Sequence, residues 1–210
     1  MNRVIKGIHL SVACVCVLNF FGCGTSQPSH FYLLRAVSAA SVSDLSETKP
    51  SSLSFGLGPV TLPKYLDRPQ IVTKAGAHEV ELAEFHKWAE PLSENMSQVL
   101  AENLSAFLST DQIEQYPWPG STPVDYQIVV DVLQFDGIRG GEAVLVARWS
   151  LLSGKNQTLI TTKKTHVTQH PTSQEYEALV EAMSQNLMDL SREIALATKA
   201  LPPRASSRSS

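Results

Sequence analysis

"DYQIVVDVLQFDGIRGGEAVLVARWSLLSGKNQTLITTKKTHVTQ" (residues 125–169) decides the fold. It holds three runs rich in β-branched and aromatic residues, separated by turn-forming clusters at residues 136–141 and 153–156. Runs of this kind with short Gly-bearing breaks read as strands joined by hairpins. In the middle run Leu145, Ala147, Trp149 and Leu151 alternate with Arg148 and Ser150, so one face is apolar. In the third, Thr162, Lys164 and His166 share a polar face. The expectation is a three-stranded antiparallel meander, wet on one side and in need of cover on the other.

Two helical stripes flank it and are of the right kind to supply that cover. Downstream, Tyr176, Leu179, Val180, Met183, Leu187, Leu190, Ile194 and Ala197 recur at helical spacing within residues 172–199. This pattern predicts an amphipathic helix, with Thr172 as N-cap and Glu175 closing a capping box. Upstream, Leu92, Met96, Val99, Leu100, Asn103 and Phe107 predict a second one over residues 91–109, with Pro91 in its first turn. Trp88 just before it reads as a core or staple residue, or as part of a partner surface.

Further toward the N-terminus, "HFYLLRA" (residues 30–36) reads as a strand and "LSFGLGPVTLP" (residues 53–63) as another, ended by Pro63. Between them lies a Ser-rich loop without periodicity. "QIVTK" and "HEVELA" predict a hairpin about Ala75 and Gly76, and "YPWPG" (residues 116–120) breaks the chain. Strands, helix, meander and long helix together predict an α+β two-layer sandwich: a mostly antiparallel sheet with two amphipathic helices packed on one face.

The first thirty residues carry a different signal. Arg3 and Lys6 precede an apolar run from Ile8 to Phe21, which ends in Gly22-Cys23-Gly24. A cationic start, a short greasy middle and a small residue at the cut are the order of a secretory leader. The run is shorter than the roughly 20 apolar residues a spanning helix needs, and His9 and Asn19 interrupt it. The boundary resembles a bacterial lipobox, so residues 1–22 are expected to be the signal peptide and Cys23 the new first residue, its thiol carrying lipid. Residues 23–29 then form a polar tether and residues 30–200 the domain. Residues 201–210, "LPPRASSRSS", are expected to be a disordered tail. Cys14 and Cys16 fall inside the leader, so the mature chain has no partner for a disulfide and depends on its core alone. In lipoproteins of Gram-negative bacteria an Asp after the cysteine favours inner-membrane retention. Gly24 is not Asp, which implies the periplasmic face of the outer membrane.

The chain has 210 residues, 43% of them hydrophobic, which suits one domain with a sizeable core. Its net charge is −3, and removing Arg3 and Lys6 with the leader makes it −5. That is no electrostatic footprint for nucleic acid. The chain contains no G-x-S-x-G, H-E-x-x-H or P-loop pattern, and the paired glycines of "GLGPVT" open no helix, so neither a catalytic centre nor a nucleotide site is expected. The histidines are not spaced as metal ligands, so no metal is expected. Glu79 and Glu81 read as a solvated strand face. "LPKYLDRPQIV" (residues 62–72) stands out, because Tyr65 and Arg68 are residue types that anchor interfaces. The structural alternative is a rigid crossover between Pro63 and Pro69, with Asp67 capping a turn or pairing with Arg68.

Four stretches carry a resemblance: "FYLL" from Phe31, "GLGPVTLPKYLDRPQIV" from Gly56, "EFHKWAEPLSENMSQVLAENL" from Glu84 and "DYQIVVDVLQFDG" from Asp125. Together with the lipobox they resemble the PqiC-type ABC-transport auxiliary lipoproteins of the paraquat-inducible membrane-integrity transport system. The resemblance implies a non-enzymatic subunit under the outer membrane. Its partners would be a periplasmic mammalian-cell-entry (MCE) protein tube and an inner-membrane component, and the assembly would move lipid between membranes. It implies docking on the end of that tube, with a ring-like homo-oligomer matching the tube's symmetry. No cofactor is expected beyond covalent lipid on Cys23. Tyr65, Asp67, Arg68 and Trp88 are the expected contact residues. The alternatives are a lipid-binding carrier and an envelope assembly factor that activates a cell-wall enzyme.

Overall fold

The computed structural model describes residues 27–36, 53–119 and 122–201. The expected leader, Cys23, the start of the tether, the Ser-rich loop and the tail beyond Leu201 lie outside the described residues.

The meander forms as its alternation requires. β6 (Tyr126–Gly137), β7 (Ala143–Ser153) and β8 (Leu159–Gln169) pair antiparallel along nearly their full length. Leu145, Ala147, Trp149 and Leu151 are all fully buried, as are Ile128, Val130 and Phe135 across the ladder. Above this face lie α1 (Leu92–Leu108) and α2 (Tyr176–Lys199), which also pack on each other. The two apolar stripes account for the helices' burial, from Leu92 to Phe107 in one and from Tyr176 to Ile194 in the other. The opposite face of the sheet has no helix among the described residues and carries a polar cross-strand row. In it Thr61 Oγ1 donates to Asp131 Oδ1 at 2.8 Å, and Arg148 lies 3.8 Å from Asp131 and beside Lys164.

The first half of the sheet is mixed rather than uniformly antiparallel. β3 (Gln70–Lys74) and β4 (Val80–Trp88) form the expected hairpin. β1 (His30–Tyr32) adds parallel to the end of β4, and the short β5 (Ile113–Gln115) adds parallel to β2 (Phe55–Thr61). β2 and β3 both pair parallel with β6. Because β7 occupies one edge of β6 throughout, β2 and β3 share the other edge end to end: Thr61 is opposite Asp131 and Thr73 opposite Gly137. Residues 62–69 are therefore an excursion between two collinear strands. The expected crossover is corrected accordingly, because both strands follow β6 in one direction.

Three further expectations change. The strand at residues 30–36 is only three residues long, and the chain beyond it is fixed by α1: the Leu34 N–H donates to Asn95 Oδ1 at 2.7 Å. The box at Thr172 does not form. Ser173 Oγ instead accepts the Glu175 N–H at 3.2 Å, turning the chain there, and the helix begins at Tyr176 without a side-chain cap. Pro91 sits at the N-cap with non-helical ψ rather than in the first turn. The glycines of "GLGPVT" have packing roles. A Cβ on Gly56 would lie 2.7 Å from the Trp118 ring, and Gly58 (φ +120°) passes so close to Tyr116 that a Cβ there would meet the Tyr116 Cβ at 2.6 Å.

Candidate interaction surface

The excursion at residues 62–69 is held by its own turns and by a buried acid. The N–H groups of Leu66, Asp67 and Arg68 donate to the carbonyls of Pro63, Lys64 and Leu66. Leu66 is buried in the core and Asp67 is exposed. Tyr65 Oη donates to Asp136 Oδ2 at 2.9 Å. Asp136 is only 1% exposed, yet it also accepts Gln134 Nε2 at 2.8 Å and lies 3.6 Å from Lys74 Nζ. One carboxylate thus links the loop, β3 and β6 where the sheet divides. Burial, with the Asp136 charge behind it, pushes the Tyr65 phenol pKa well up, so this proton stays on oxygen through the physiological range.

The four expected contact residues do not present themselves alike. Asp67 is on the surface and Arg68 is half-buried beside it, its Nε shielded from solvent with no hydrogen-bond acceptor. Among the described residues no ion pair joins the two. Tyr65 is half-buried and engaged with Asp136. Trp88, 6% exposed, belongs to the core at the end of β4, where its N–H donates to the Pro69 carbonyl at 2.7 Å and ties the loop's end in place. The loop and Trp88 are thus neighbours in space, 20 residues apart in sequence.

A second cluster escaped sequence reading because its members come from four elements. His86 of β4 stacks on Tyr176 at the start of α2 (centroids 4.0 Å apart) and on His30 of β1 (5.2 Å). Its Nδ1 is 2.7 Å from Tyr32 Oη. Arg139, from the β6–β7 turn, lies over the Tyr176 ring at 5.3 Å. Burial holds the His86 pKa below its ordinary value; His30 and Arg139 push the same way and Glu175 opposes them. A histidine kept neutral by the fold takes its proton more readily once unfolded. Its contribution to stability is therefore complete above about pH 6.5 and declines as the pH falls from there toward the lowered value. Amide hydrogen exchange in β1 is expected to speed up between pH 7.5 and pH 5.5 beyond the intrinsic trend, and His86→Phe to remove that excess. Among the described residues no three His, Cys, Asp or Glu side chains form a metal-holding group, and no helix is long and apolar enough to cross a membrane.

These features define a two-layer α+β domain with a branched, mixed sheet and a braced loop at the branch point. Two crystal structures share the fold. One, of an uncharacterized protein, superposes with a TM-score of 0.66 at 20% identity, covering 82% of this chain and 99% of that one. The other, of protein XCC0632 from Xanthomonas campestris, gives 0.62 at 15% identity, covering 83% and 94%. No match is found among curated proteins. The family model for the ABC-type transport auxiliary lipoprotein component matches residues 32–195, and the chain belongs to that family. It is thereby an envelope-associated auxiliary component of a transport system, in a family of membrane-anchored lipoproteins. The matched span falls inside the domain expected at residues 30–200 and includes both the braced loop and the histidine cluster's β4, turn and helix members.

Proposed function

We propose that this chain is acylated at Cys23, anchored to the periplasmic face of the outer membrane, and serves as the auxiliary subunit that docks the end of an MCE-type periplasmic tube in an intermembrane lipid transport system. The observation that carries the reading is the family match, which spans nearly the whole domain. The braced loop supports it as the docking element. Residues 62–69 are held by Asp136 and by the Trp88–Pro69 hydrogen bond, so a partner meeting Asp67 and Arg68 would not have to order them first. An inner-membrane transport component is the expected further partner, and a ring of copies would present the loop with the rotational symmetry of a tube end.

Capture in intact cells tests the docking role. A photo-reactive residue in place of the exposed Asp67 is expected to join the chain to a periplasmic MCE-type protein. Capture of a cell-wall synthase, with no transport protein, would favour the assembly-factor alternative.

A further inference from the structure

β1 and the residues after it alternate between two apolar faces, and only one of them serves the core. Tyr32 turns inward to His86, and Leu34 is buried in the core, 3% exposed. Phe31 and Leu33 turn outward and are 64% and 44% exposed. Single exposed apolar residues are ordinary. This pair shares one face of a segment fastened at every step: Ala89 N–H donates to the Tyr32 carbonyl at 2.9 Å, Leu34 N–H to Asn95, and Arg35 N–H to Ser184 Oγ at 3.2 Å. Lys87 is in register with Phe31, and Arg35 follows on the same outward parity. Beside the pair runs an open groove of about 790 Å³ between this segment and α2, lined also by Val180 and Met188 and by the acids Glu177 and Glu181.

The length of chain ahead of β1 identifies the occupant. His30 is seven residues after Cys23. Fully extended, those residues reach about 25 Å at most, so a chain acylated at Cys23 cannot hold β1 farther than that from the lipid. Two apolar side chains flanked by Lys87 and Arg35 have the composition of an interfacial contact: rings and branched chains in the headgroup boundary, cations at the phosphates. Glu177 and Glu181 offset those cations, so burial of apolar surface rather than attraction to anionic lipid is the driving term.

We propose that Phe31 and Leu33 are a second membrane contact, resting in the interfacial layer of the bilayer that holds Cys23 and so fixing which side of the domain faces away from it. This rests on the anchoring reading above, and the test separates the two. The mature chain, isolated from cells that express the whole sequence, is reconstituted in vesicles of phosphatidylethanolamine and phosphatidylglycerol. Cys14 and Cys16 leave with the leader, so Phe31→Cys gives a single free thiol for an environment-sensitive fluorophore, and Lys164→Cys on β8 gives the comparison. The expected result is blue-shifted emission at position 31, quenched several-fold more than at position 164 by lipids brominated near the headgroup. Equal, water-like emission at both positions on a vesicle-bound chain would overturn this contact and leave the anchor intact. A mature chain that is not recovered with the vesicles would overturn both. Phe31→Ser with Leu33→Ser, changing only exposed side chains, is expected to keep the vesicle-bound fraction while a fluorophore on Lys87→Cys loses its quenching. Unchanged quenching there would also overturn the contact.

Discussion

Trp149→Ala is expected to destabilise the domain by about 3–5 kcal/mol, the cost of emptying a large aromatic site in a close-packed core. Trp149 is fully buried in the middle of β7, paired with Val130 on one side and Lys163 on the other. Its Nε1 donates to Thr165 Oγ1 at 3.0 Å, and that hydroxyl in turn donates to Glu193 Oε2 on α2 at 2.9 Å. The substitution empties a fully buried site in the meander, and it also strips Thr165, which bonds to the long helix, of a donor. Thermal and urea unfolding followed by circular dichroism would measure the loss. Trp149→Phe keeps most of the apolar volume and should recover the greater part of the stability, so the remaining deficit reports the hydrogen bond.

Asp136→Ala is expected to cost about 2–3 kcal/mol, at the upper end for an unsatisfied buried polar group, because three groups lose one acceptor together. Tyr65 Oη and Gln134 Nε2 would be left without it at half-buried positions, while Lys74, about a third exposed, can turn to water and limits the loss. The effect should be local as well as global. Hydrogen exchange in residues 62–69 is expected to rise more than in β7, because Asp136 is what ties that loop to the sheet. Asp136→Asn retains an acceptor and should fall between the two. A substitution hidden from any partner would then weaken docking through the loop it supports, and Asp136→Ala is the direct check on whether the loop's order matters.

The sequence spoke most clearly where one period ran long enough to be read. The alternation in β7 and the stripe from Tyr176 to Ile194 each repeat over many residues, and both faces are buried where the pattern puts them. Parallel pairing was not visible, because the placement of β2 and β3 along β6 depends on register between distant segments. Ile113–Gln115 is too short to carry any period. Asp136 read as the start of a turn, since Asp-Gly has that meaning locally. Only the fold shows the carboxylate receiving Tyr65 from 71 residues away. The same holds for His86. At the end of a strand it reads as a surface or turn residue, and its partners His30, Tyr32 and Tyr176 are supplied by tertiary structure. The braced loop was legible by composition, through its Tyr, Asp, Arg and paired prolines, but not the means by which it is held.

The docking role makes its sharpest claim about position, so the deciding measurement compares two positions on one chain. The photo-reactive residue is placed at Asp67 in one strain and at Lys164, on the far strand of the sheet, in another, and both are irradiated in intact cells. The account predicts that an MCE-type periplasmic protein is captured from Asp67 and lost when Asp136→Ala loosens the loop, while Lys164 captures it weakly or not at all. Equal capture from both positions, or capture of no transport protein from either, would contradict it.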